Sequence, residues 1–133
     1  TTAFASVLAA FAMPKNSESE KSARSAAIQA GYKIATEVPL QTVEHCRDAL
    51  VLCRDMVLVA SESMISDVGT GSLLAHAGAQ AAGYNVRINL PNIKHPTMVV
   101  EIGGKLRSLL AECATLAGLV SSKVESVLSS KSS

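Results

Sequence analysis

The stretch from Ile65 to Asn89, ISDVGTGSLLAHAGAQAAGYNVRIN, limits what this chain can become. It is apolar overall, yet it carries Gly69, Gly71, Gly78 and Gly83, each of which weakens an isolated helix by about 1 kcal/mol relative to Ala. Gly71, Ala75, Ala79 and Gly83 fall four apart and form a flat ridge on which another helix can come close. A helix of this composition must be held by tertiary contacts, so it belongs in the middle of the fold. The ridge serves either a neighbouring helix of the same chain or a second copy across a two-fold axis. Ser66 is predicted as the N-cap. Asp67 then falls in the first turn, where a negative charge suits the positive end of the helix dipole. The closing NVRINL alternates as a strand would, but no turn or strand partner is near, so it is predicted as the last turns of the same helix.

The remaining segments read as helices supplied to pack against this one. Phe4, Val7, Leu8 and Phe11 have helical spacing within a short helix from Ala3 to Met13, ended by Pro14. Ser17 and Glu20 have capping-box spacing at the start of a second helix. Its expected buried stripe is Ala23, Ala27, Ala30, Ile34 and Val38, continued past Pro39 by Val43, Cys46, Leu50, Cys53, Val57 and Ala60. Pro39 lacks an N–H and should kink or divide this helix. A loop is expected over Ser61 to Ile65. Pro91 ends the central helix and Pro96 opens the last. Thr97 to Leu128 carries a near-heptad stripe of Ile102, Leu106, Leu109, Cys113, Leu116, Val120, Val124 and Val127, with Gly103 and Gly104 as a weak point. A disordered tail is expected from Ser129. The layout predicts one all-α domain, an up-and-down bundle of long antiparallel helices with short connections.

Composition narrows the function more than it names it. With 133 residues the chain suits one domain, and with no Trp, two Phe and two Tyr its core must be built from Ala, Leu, Val and Ile. A net charge of +1 argues for neither nucleic acid nor an anionic membrane as a partner. No apolar run is long enough to span a bilayer. The start lacks the basic residues of a signal peptide, and Thr1 in place of Met suggests processing or a fragment. Cys46, Cys53 and Cys113 are an odd count without metal-type spacing, read as reduced thiols of a cytoplasmic protein.

No P-loop, GxGxxG, CxxC or HExxH is present. Asn85 and Asn89 stand at i, i+4 with Arg87 between them in an apolar run. Such amides and guanidinium groups need partners when buried. They either bond between helices or recognise a polar heterocycle and a carboxylate, for which Arg is suited. His76 is the only histidine near these features.

Here the residues carry a resemblance. MPKNSESEKSARSAAIQAGYKIATEVPLQ is similar to the middle of the formiminotransferase-cyclodeaminase C-terminal family. Ile65-Ser66-Asp67-Val68-Gly69 and Asn85-Val86-Arg87-Ile88-Asn89-Leu90 resemble that family's two most recognisable motifs. The resemblance implies a multihelical homodimer or larger assembly. It also implies formimidoyltetrahydrofolate cyclodeaminase or methenyltetrahydrofolate cyclohydrolase activity, with a tetrahydrofolate derivative as substrate and no metal or redox cofactor. Asp67 becomes the catalytic candidate, as a base or cation stabiliser, and Ser66, Asn85, Arg87 and Asn89 the substrate-binding candidates. Two departures stand out. The family's Gly-rich segment and long first helix are absent from this chain, and Ser61-Glu62-Ser63-Met64 replaces the usual Gly-Asn-Pro loop. The first departure motivates an alternative, a non-catalytic helical dimerisation module derived from the family. Asp67 and Asn85 lie five full turns apart, about 27 Å along a straight helix. One site could use both if two central helices packed antiparallel through the Gly71–Gly83 ridge.

Overall fold

The computed structural model describes residues 2–130, with side chains described for 4–130. A short helix α1 (Thr2–Phe11) is followed by three long ones, α2 (Glu18–Val59), α3 (Ile65–Asn89) and α4 (Pro96–Ser130). A single 3-10 turn, Leu90–Asn92, joins the last two, and there is no strand among the described residues. The all-α bundle is therefore as expected.

Local chemistry sets most of the boundaries. The Ser17 hydroxyl accepts from the Glu20 N–H while the Glu20 carboxylate accepts from the Ser17 N–H, closing the expected capping box. Pro96 occupies the first position of α4, where its missing N–H costs nothing. At α3 the expectation is corrected. Its N-cap is Met64, with no side-chain capping bond, and Ser66 and Asp67 both lie inside the first turn. The cause is the preceding turn, closed by the Met64 N–H on the Ser61 carbonyl, which lets the buried Ile65 start the helix two residues early.

Packing runs through the small residues. A Cβ placed on Gly31 would stand 3.0–3.1 Å from Val7, so α1 lies directly against α2 there, with Arg24 donating to the Phe11 carbonyl further along. Gly78 faces the Cys46 sulfur and Gly71 faces the Cys53 sulfur, which makes α3 antiparallel to α2. Gly69 meets Val124 and Gly83 meets Leu110, which makes α4 antiparallel to α3. The Gly71–Gly83 ridge is thus occupied by the chain's own helices, with Ala79 fully buried, and it is closed to a second copy. The Arg47–Glu112 and Lys105–Glu44 ion pairs then tie α2 to α4.

The α4 stripe is buried as expected from Ile102 to Val124, with Val127 half-buried, and the helix passes Gly103 and Gly104 without a break. It continues through Ser129 and Ser130, where the tail was expected to begin; the rest of that tail lies outside the described residues. Two stripes are corrected. In α1, Val7 and Ala10 are buried while Phe4, Leu8 and Phe11 are exposed. In the first half of α2, Gly31, Ala35, Thr36 and Leu40 are buried, while of the expected line Ala23, Ala30, Ile34 and Val38 are exposed and Ala27 is half-buried. Close approach of α1 over Gly31 rotates the buried face toward the smallest side chains.

Candidate functional site

Pro39 neither ends nor divides α2, and the reason is found on α3. A proline at position 39 deprives the carbonyl of Ala35 of its i+4 donor. The Asn89 side chain supplies the missing bond, Nδ2 donating to the Ala35 oxygen at 3.0 Å, and its second amide hydrogen goes to the Asn85 carbonyl at 3.0 Å. The expected inter-helix role of the amide is thereby found at Asn89. With both donors engaged, what Asn89 can offer a ligand is its Oδ1. Asn85 spends one donor on the Ala81 carbonyl at 3.3 Å and keeps the rest of its amide.

Around this junction α1, α2 and α3 enclose a cleft of about 660 Å³. Phe4, Val38, Pro39 and Ile88 give it apolar walls, and Asn85 and Asn89 give it amides. Thr42 also lines it, but its hydroxyl donates to the Val38 carbonyl. The volume falls within the range of small-molecule sites, as does the chemistry of apolar walls with a few convergent polar groups. Phe4, Pro39 and Thr42 are cleft residues that sequence reasoning missed. A proline kept inside an otherwise continuous helical pattern was the available signal for Pro39.

The other candidates lie elsewhere. Arg87, two residues beyond Asn85, leaves the cleft, is exposed, and sits 5.0 Å over the ring of Tyr84. Asp67 is exposed at the opposite end of α3 and lines neither this cleft nor the next. Ser66 lines a smaller depression of about 250 Å³ between α3 and α4, with Thr70, Ser121 and Glu125. His76 is half-buried on α3, its Nε2 within 3.4 Å of the Gln80 amide. Of the five proposed site residues, only Asn85 and Asn89 are brought together within one chain.

The three thiols are unpaired, Cys113 buried and Cys46 and Cys53 half-buried. Burial raises all three above the ordinary 9.0, and at Cys113 the neighbouring Cys46 and Glu112 add to it. They are protonated packing groups at neutral pH. Among the described residues no three His, Cys, Asp or Glu stand together as metal ligands would. No described helix is long and apolar enough to cross a membrane.

Comparison with known proteins meets this geometry. The chain matches the Formiminotransferase-cyclodeaminase family over residues 1–108. It is similar to the methenyltetrahydrofolate cyclohydrolase of Methylorubrum extorquens, 37% identical over 114 residues that cover 86% of this chain and 55% of that protein. It is 30% identical to the formimidoyltransferase-cyclodeaminase of Rattus norvegicus and 29% to that of Sus scrofa, over 123 residues, 92% of this chain and 23% of each relative. The chain therefore spans about half the length of the first of these relatives and less of the others. The helix that carries the Asn85–Asn89 pair and the proline it compensates both fall within the matched residues, and the chain belongs to the formiminotransferase-cyclodeaminase family.

Proposed function

We propose that this chain acts on folate one-carbon units, either cyclising formimidoyltetrahydrofolate to methenyltetrahydrofolate with loss of ammonia or hydrolysing methenyltetrahydrofolate. The observation that carries the reading is the pair Asn85 and Asn89 on one wall of a 660 Å³ cleft, inside the family match. Apolar walls suit the faces of a flat heterocycle, and amides suit its polar edge. The names of the relatives supply the two candidate reactions.

In the deaminase reaction N10 of the folate bonds to the formimino carbon held on N5. The imine nitrogen takes up the proton given up by N10 and one further proton from an acid or solvent, leaves as ammonia, and the N5–C–N10 bridge is left with the one positive charge. In the hydrolase reaction water bonds to that same carbon, one C–N bond breaks, and a proton is released. Both need a group that moves a proton and tolerates a cation beside it. Asp67 is the group we assign, an exposed carboxylate in the first turn of α3, with Ser66 next to it. Arg87 is assigned to a carboxylate of the substrate, which its planar fork fits.

Asp67 stands about 27 Å along α3 from Asn85, so in this reading it serves the cleft of a second subunit and the working form is a homodimer. The substrate is itself the folate, with no metal or redox cofactor. Three unpaired thiols support a cytoplasmic setting. The test is to supply the chain with formimidoyltetrahydrofolate and follow methenyl absorbance and ammonia release, then to supply methenyltetrahydrofolate and follow loss of the same absorbance. Turnover of either supports the proposal. Turnover of neither, with an active full-length relative run alongside, overturns it in favour of a helical module without catalysis.

A further inference from the structure

We infer that the basic depression where the α1–α2 and α3–α4 connections meet is a binding site for a small molecule carrying two phosphoryl groups. It lies outside the cleft and is independent of the folate reading. Its volume is about 300 Å³, and Lys15, Lys21, Arg24 and Lys94 line it together with Ser25 and Gln29. Three chain segments supply the four cations. Lys15 comes from the connection between α1 and α2, Lys21 and Arg24 from α2, and Lys94 from the connection between α3 and α4. Arg24 and Ser25 follow Lys21 by three and four residues, so the three share one face of α2. No carboxylate lines the depression among the described residues. Four of the chain's 12 Lys and Arg residues gather here, against a net charge of +1 for the whole chain.

Two of the cations are held by bonds that leave their charge available. Arg24 donates through Nε and Nη2 to the Phe11 carbonyl, at 3.4 and 3.1 Å, and its guanidinium lies 5.5 Å from the centre of the Phe11 ring. Its Nη1 is left for a ligand. The backbone at Lys94 is clamped by Gln29, whose Oε1 accepts from the Lys94 N–H at 2.8 Å and whose Nε2 donates to the Asn92 carbonyl at 3.0 Å. Ile93, between them, is buried and anchors the same segment. Lys15 and Lys94 enter no ion pair among the described residues. The acids of the first turn of α2 do not neutralise the site. Glu20 spends its carboxylate on the Asn16 and Ser17 N–H groups, and Glu18 meets Lys21 in an exposed pair at 2.7 Å that a multiply charged ligand outcompetes. Charge and size choose the ligand. Each phosphoryl group carries about −1.5 to −2 at neutral pH, so two bring about −3 to −4 against the four cations. Carboxylates would need about twice as many groups for that charge, in a depression at the lower end of small-molecule volumes. Lysine ammonium groups suit phosphate as point charges, Arg24 adds a directed donor, and Ser25 adds a hydroxyl.

The experiment is calorimetric titration of the full chain with inorganic pyrophosphate, inorganic phosphate and citrate at one ionic strength. Pyrophosphate is expected to bind one per chain, at least about tenfold tighter than phosphate or citrate. Lys15→Gln and Lys94→Gln should each weaken it on the order of tenfold, and the two together on the order of a hundredfold, through lost charge-assisted bonds. Both side chains are exposed, and unchanged helicity confirms that the variants fold. Lys123→Gln is the control, at an exposed lysine about 40 Å along α4 from its Pro96 end. It should leave the affinity unchanged. No heat from pyrophosphate at millimolar concentration, citrate as tight as pyrophosphate, or a loss as large in Lys123→Gln as in Lys94→Gln overturns the inference. None of these titrations uses folate, so their outcome and that of the turnover assay are judged apart.

Discussion

The bond from Asn89 to the Ala35 carbonyl makes a sharp prediction, because its need is created by one residue, Pro39. Ala35 is 5% exposed, so water cannot replace a lost donor freely. Asn89→Ala leaves that carbonyl unpaired, at a cost of about 2 kcal/mol from the usual 1–3 kcal/mol range for an orphaned buried group. The second bond of Asn89, to the Asn85 carbonyl on the exposed side, adds little. With a urea m-value of about 2 kcal/mol/M, the unfolding midpoint should fall by about 1 M. In a Pro39→Ala background residue 39 regains its N–H and can bond the Ala35 carbonyl within α2. There Asn89→Ala should cost less than about 1 kcal/mol, leaving a coupling of about 1–2 kcal/mol across the cycle. Urea titrations of the four proteins, followed by helical circular dichroism, measure it. Equal costs of Asn89→Ala in the two backgrounds would refute the compensation argument.

Three further outcomes are expected. Gly31→Ala should destabilise by about 1–3 kcal/mol, since its methyl would meet the backbone of Val7, which no rotamer change can move, whereas Gly118→Ala, with open space around it, should stabilise by about 0.5–1 kcal/mol; opposite signs in denaturant titrations check the pair. Asp67→Asn should lower kcat on the order of 10²- to 10⁴-fold while the loss of its charge at the helix dipole moves the unfolding midpoint by no more than about 0.5 M, read from single-turnover absorbance and urea titration together. The thiols fix a pH dependence. Their folded values are raised above 9.0 by burial, so below that pH folded and unfolded thiols are alike protonated, and above it ionisation favours the unfolded chain. Stability should therefore fall between pH 9 and 10, and should fall less in Cys113→Ala than in the parent.

Much of the bundle was legible because its strongest signals are local. The Ser17–Glu20 box, Pro96 at a helix start and the heptad stripe of α4 each act within a turn or two, and each is found where expected. The first half of α2 was not legible in the same way. Ala23, Ala30, Ile34 and Val38 have a helical period as good as that of the true buried line, and mean hydropathy favours them. The contest is settled by how close α1 can come, which depends on the absence of a side chain at Gly31. A period-based reading gives weight to side chains that are present and none to one that is missing. The Ser66 cap failed for a related reason. Ser66 is a good cap in isolation, but Ile65 gains more from burial inside the helix than a serine hydroxyl returns at its end.

The site was legible in its parts and not in its assembly. Adjacent polar residues in NVRIN read as one group, yet a helix advances about 100° per residue, so Arg87 must part from Asn85 and join Tyr84 on another side. Asn85 and Asn89, a turn apart, stay together and meet Pro39 from a different helix. The same helix that unites those two keeps Asp67 at its far end, and no refolding of a straight α3 can shorten that distance. A chemistry that needs both the amides and the carboxylate therefore makes a demand on assembly that no single chain meets.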